Sequence, residues 1–137
     1  MPTRPPSYRP AGQRVQGASP RQAYDSRRGS SRERGYTAEW DKARKAFLAM
    51  ADNCLCLGCR AVGVYVPATV VDHVEPHRGD MERFWRADLW QPCCQWHHAT
   101  IKQQLEALRD RGQIAASSLW LDSPEAIRLT RMLMPSV

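Results

Sequence analysis

An α+β fold is what the sequence predicts, with a strand-forming middle set between helices. Three observations predict it. Apolar residues recur at helical spacing after Thr37 and again after Cys94, the run from 61 to 74 is rich in valine, and a Cys-x-x-Cys and a Cys-x-x-His pair bracket that run. A chain of 137 residues with 42% hydrophobic content has material for one modest core and not for two.

Residues 1–36 carry no periodic apolar pattern. They hold eight arginines against Asp25 and Glu33, together with five prolines, four glycines and five serines. So little apolar surface cannot offset the entropy of ordering, and the segment reads as a disordered basic arm. The whole net charge of +6 sits in it, because twelve basic residues face twelve acidic ones from Thr37 onward. Such an arm either binds nucleic-acid phosphates without reading sequence or serves as a solubilising tail.

The folded domain is placed at 37–112. Thr37 is its first N-cap, and Trp40, Ala43, Phe47, Leu48 and Ala51 mark the core-directed face of a helix. The valine-rich run, broken by Gly63 and Pro67, suggests a hairpin of strands leading into 69–74. EPHRGD (75–80) is a loop, MERFWRAD (81–88) a short amphipathic piece, and LWQPCC (89–94) a brief returning strand ended by its own proline. His98, Ile101, Leu105 and Leu108 then share one side of a helix that stops at Gly112. Residues 113–137 form a C-terminal extension. Its Ser123, Pro124 and Glu125 start a short helix with Ala126, Ile127, Leu129, Met132 and Leu133 as the apolar face.

No stretch approaches the roughly 18 apolar residues of a spanning helix, and no early apolar run resembles a secretory signal. The expectation is a cytoplasmic protein with no membrane partner. Five cysteines, an odd number, then read as thiols and metal ligands rather than as a disulfide framework.

Cys56 and Cys59 flank a turn-forming Leu-Gly, and Cys94 with His97 opens the following helix. Two such knuckles supply the four ligands of a closed tetrahedral Zn²⁺ site. The competing reading is a set of small buried thiols, with Cys54 and Cys93 as neighbours outside the ligand spacing. Adjacent side chains point in different directions, so His98 faces away from His97, toward the strand bearing Asp72 and His73. A carboxylate and an imidazole from different segments can hold a divalent ion while leaving positions open for water and a phosphate oxygen.

Taken together, CLCLGC (54–59), VVDHVEPHRGD (70–80), FWRADLWQPCC (84–94) and HHATIK (97–102) resemble the HNH endonucleases, most closely the small phage-type members encoded beside terminase genes. The resemblance covers about Thr37 to Leu108. It implies a small ββα-metal (His-Me finger) fold with flanking helices, framed by the structural zinc. Asp72 and His98 would hold a catalytic ion (Mg²⁺, Mn²⁺, Ni²⁺ or Zn²⁺), and His73 would be the general base. The implied reaction is hydrolysis of DNA phosphodiesters, by nicking or double-strand cleavage, in an infected bacterial cytoplasm, with terminase subunits as further partners. Arg78, Arg83, Arg86 and Lys102 are candidate phosphate contacts, and His77 and Glu75 candidate auxiliaries; for each a solvated surface role is the alternative. Leu89 stands where the family has its middle asparagine, and Leu89→Asn is expected to raise cleavage. Two other functions stay open on the same residues: a zinc-stabilised DNA-binding module with no cleavage, and a terminase-accessory protein.

Overall fold

The computed structural model describes residues 37–135, so the basic arm at 1–36 and its phosphate-binding role lie outside the described residues. Thr37 opens helix α1 (Ala38–Ala49) by accepting the Trp40 N–H at its hydroxyl, 3.3 Å away. The stripe of Trp40, Ala43, Phe47 and Leu48 packs on Val71, Phe84 and Trp90. Met50 leaves the helix in an extended conformation, so Ala51 falls outside that stripe, in a 3₁₀ turn at Ala51–Asn53.

The Leu-Gly between Cys56 and Cys59 forms a turn of helix, α2 (Leu57–Ala61), rather than a bare turn. The expected hairpin within 61–74 does not form. Val62 to Ala68 instead loops back along the cysteine segment, with Cys56 N–H donating to Val66 O at 2.8 Å and Ala68 N–H to Cys54 O at 2.9 Å. Val64 and Tyr65 are both exposed there, so these strand-favouring residues have no second face to bury.

Strand β1 (Val70–His73) pairs antiparallel with β2 (Trp90–Cys93), giving a two-stranded sheet in register Val70–Cys93, Val71–Pro92, Asp72–Gln91 and His73–Trp90. Proline lies within β2 and does not end it. Val74 N–H bonds Leu89 O at 2.8 Å, which places the paired bonds at even positions of β1; Pro92, opposite Val71, sits where no ladder N–H is used. Strand alternation then sorts the side chains. Val71, His73 and Trp90 face α1, whereas Val70, Asp72, Gln91 and Cys93 face the other way.

Between the strands lie α3 (Met81–Phe84), capped by Asp80, and a 3₁₀ turn at Ala87–Leu89. After β2 a π-helical turn (His97–Ile101) continues into α4 (Lys102–Asp110), and Gly112, at φ +74°, closes it. A 3₁₀ turn (Ala116–Leu119) and α5 (Pro124–Leu133) complete the chain, with Ser123 accepting the Ala126 N–H. Leu119, Leu121, Ala126 and Leu129 join Cys56, Cys59, Val74, Cys93, Ile101 and Leu105 in one core, so the segment after Gly112 packs with the residues before it. The buried face of α5 is Ala126, Leu129 and Thr130; Met132, assigned to that face by apolar spacing, is 66% exposed. Among the described residues no helix is long and apolar enough to cross a membrane.

Candidate functional site

α2 and the π turn bring the two knuckles together. The sulfurs of Cys56, Cys59 and Cys94 and Nδ1 of His97 all lie within 4.8 Å of one another. Nδ1 stands 3.5, 3.4 and 3.6 Å from the three sulfurs, and the Cys59 and Cys94 sulfurs are 3.9 Å apart. A tetrahedral zinc shell with Zn–S near 2.3 Å and Zn–N near 2.0 Å has S–S edges of about 3.8 Å and S–N edges of about 3.5 Å. The cluster therefore has the dimensions and the donor set for a metal such as zinc. Cys54 is exposed and donates to Ala51 O, and Cys93 is buried in the apolar core, so neither belongs to it. Burial pushes the Cys56 and Cys59 thiols up and lowers His97 to about 4. Such a site favours neutral protein groups unless a cation offsets thiolate charge.

Two contacts frame His97. Gly58 lies directly against its ring, where a Cβ would stand only 2.3 Å from Cδ2. Nε2 of the same ring is 3.1 Å from Thr130 Oγ1 on α5.

On the opposite side of the π turn is an open groove of about 470 Å³, lined by Trp40, Asp72, His73, His77, His98 and Glu106 among others. Asp72 is 3% exposed. Its Oδ1 is 3.1 Å from His98 Nδ1, and its Oδ2 accepts from Lys102 Nζ and Gln91 Nε2, each at 2.9 Å. Burial works to raise its pKa, but the His98, Lys102 and Gln91 contacts outweigh burial and hold the carboxyl below its usual range. The same contact with Asp72 raises His98.

His73 stacks on Trp40 at 5.2 Å, and its Nε2–H donates to the Phe84 carbonyl at 3.0 Å. A carbonyl can only accept, so Nδ1 is the ring's lone-pair nitrogen. Burial, then the neighbouring His77, lowers His73 to about 4, and the ring is neutral at pH 7. His77 meets it edge-on at 5.0 Å.

The other singled-out residues divide. Lys102, expected to contact phosphate, is fully buried, and its ammonium bonds Asp72, the His73 carbonyl and Glu106 at 2.8–2.9 Å. All three of its protons are used inside the protein, which corrects that expectation. Arg78, Arg83 and Arg86 are on the surface, bonded to Asp110, the Pro76 carbonyl and Asp88 respectively. Glu75 lines a recess beside Arg78 and Arg83. Leu89 lines another recess with Glu75, Asp80, Glu82, Arg83 and Arg86, whereas His73 lines the groove. Sequence reasoning missed Gln91, which is fully buried and ties Asp72 to Leu119 O and Leu121 N. It also missed Glu106 and the Phe84 carbonyl; the i,i+4 spacing of Lys102 and Glu106 is the one signal that was available.

Comparison of the chain with protein-family models, with curated proteins and with solved structures gave no match.

Proposed function

We propose that the protein is a metal-dependent DNA endonuclease of the HNH type, in which β1, β2 and the helix from the π turn through α4 form the ββα-metal unit and the Cys/His cluster frames it. The observation that carries this reading is the 3.1 Å approach of Asp72 Oδ1 to His98 Nδ1 on a groove that His73 also lines. Adjacent ligands of an octahedral ion with bonds of about 2.1 Å lie about 3.0 Å apart, so the pair suits a shared divalent cation such as Mg²⁺, Mn²⁺ or Ni²⁺. Bound there, the cation would neutralise charge building on the phosphate and on the departing 3′ oxygen.

The chain supplies the rest. Neutral His73, fixed through Nε2, presents Nδ1 to remove a proton from the attacking water. Gln91 and Lys102 hold Asp72 in one orientation and leave Oδ1 directed at His98. Arg78, Arg83 and Arg86 lie on the surface, where they can meet phosphates flanking the cleaved one. DNA is then the substrate, and terminase subunits and a host cytoplasm are the context proposed for it.

A second reading has its own support. Lys102 already neutralises Asp72, and leucine occupies the position of the family's asparagine, both of which suit a zinc-framed DNA-binding or terminase-accessory protein that does not cleave. Incubation of supercoiled plasmid with the purified protein and Mg²⁺, Mn²⁺ or Ni²⁺ separates the two. Metal-dependent nicking that is absent from His73→Ala supports the nuclease; retarded plasmid with no nicking under any of the metals supports the second reading.

A further inference from the structure

We infer that Thr130, on α5, is a positioning residue that fixes the tautomer of His97 and so selects the nitrogen offered to the Cys56, Cys59 and Cys94 sulfurs. Proton counting carries the argument. Thr130 Oγ1 lies 2.8 Å from the Ala126 carbonyl oxygen, which can only accept, so the single hydroxyl proton goes there. The same Oγ1 lies 3.1 Å from His97 Nε2. With its proton already given to Ala126, the hydroxyl meets His97 as an acceptor, and Nε2–H is the donor. An imidazole protonated on Nε2 keeps its lone pair on Nδ1, the atom 3.4–3.6 Å from the three sulfurs.

Burial makes this bond decisive. Thr130 and His97 are both fully buried, so the hydroxyl is the partner the structure gives Nε2. Gly58 packs against the same Cδ2–Nε2 edge of the ring, where it has no side chain to compete with the Thr130 bond. Thr130 thus does for His97 what an outer carboxylate or carbonyl does for many metal-bound histidines: it sets ring orientation and the ligating nitrogen. The C-terminal segment becomes part of the centre, although none of its atoms would touch the ion.

The inference rests on reading the cluster as a metal centre, and its test separates the two. In the full-length protein, zinc affinity is measured by competition with a chromophoric chelator for the wild type, Thr130→Val and Thr130→Ser, and the His97 ring proton is located by long-range ¹H–¹⁵N correlation. The expected results are an Nε2 proton in the wild type, zinc weakened by about 10–100-fold in Thr130→Val, and recovery in Thr130→Ser. Wild-type affinity in Thr130→Val, or a ring proton on Nδ1 in the wild type, would overturn the role of Thr130. Should Thr130→Val not fold, Thr130→Ser and the wild-type spectrum decide it. A wild-type chain that takes up no zinc defeats the metal-centre reading instead, and its ring proton still decides the tautomer.

Discussion

Gly58→Ala tests the centre by its steric fit. In an exposed stretch of helix, alanine in place of glycine adds about 1 kcal/mol of stability. At Gly58 the new Cβ would stand 2.3 Å from His97 Cδ2, 2.5 Å from Nε2 and 2.9 Å from Cγ. Restoring ordinary contact at 3.4 Å requires the ring to retreat by about 1.1 Å. Thr130 holds the same Nε2 edge at 3.1 Å, so a ring that retreats from Gly58 must also disturb this bond. Metal–ligand distances tolerate about 0.2 Å, so a retreat of that size removes Nδ1 from the shell. Overpacking of this kind costs about 1–3 kcal/mol, enough to cancel or reverse the helix gain, and zinc-linked stability is lost in addition. At this domain size each kcal/mol moves the melting midpoint by roughly 4–8 °C. The assay is zinc content by elemental analysis together with melting before and after chelation. The variant is expected to purify with little zinc, to melt below the wild type and to respond weakly to chelator. Full zinc content with a midpoint at or above wild type would refute the reasoning.

Other perturbations read the groove. In a titration followed by NMR on metal-free protein, His73 should stay neutral down to about pH 4, while His98 protonates at a higher pH than a free imidazole. The linkage signs are therefore opposite: the His73 contribution to stability is present above its unfolded pKa and lost as pH falls toward 4, whereas that of His98 is present at low pH and lost as pH rises through its folded pKa. Protonation of His73 first would contradict the burial that lowers it. Lys102→Met should destabilise by about 3–5 kcal/mol, because Asp72 and Glu106 lose their buried cation, yet leave the salt dependence of DNA binding unchanged. Arg83→Ala should do the reverse, with little change in melting and a salt slope smaller by about 1; a changed slope in Lys102→Met would place its ammonium on the DNA after all. Leu89→Asn should alter nicking by no more than about 0.5 kcal/mol, roughly twofold, since Phe84 and Trp40 already hold His73. This departs from the gain expected on sequence grounds, and a tenfold increase would restore it.

The parts of this molecule legible in the sequence are those set by local spacing. Thr37, Ser123 and Gly112 announce helix ends through short-range bonding, and the four cluster ligands declare themselves by their separation of three residues. Long-range choices were not legible. Valine content at 62–68 signals strand preference without saying that the partner is the cysteine segment, and apolar spacing on α5 gives no hint that a threonine faces inward to meet His97. Buried polar residues hide best: Lys102 and Gln91 look like surface residues by type, and only the fold reveals that Asp72 gives each a partner. Nor does a period of 3.6 residues disclose that one helical turn contains an extra residue.

That extra residue lies in the turn where two adjacent histidines serve different neighbours. Lys102 N–H bonds the His97 carbonyl five residues back, and within this π turn His97 is buried against the thiols while His98 reaches Asp72. No cluster residue lines the groove, yet two of its ligands, Cys94 and His97, adjoin in the chain the elements that carry the Asp72–His98 contact. His97 fixes the helix start on which His98 rides, and Cys94 fixes the chain immediately after β2, whose Gln91 holds Asp72. A contact of 3.1 Å supported from both sides by one cluster should loosen when the cluster does. In protein loaded with zinc at the cluster and with no other divalent ion added, chelation is therefore expected to return His98 toward the titration of a free imidazole, although the cluster ligands do not include it; a His98 still raised after complete chelation would mean that β1, β2 and α4 hold the groove without help from the cluster.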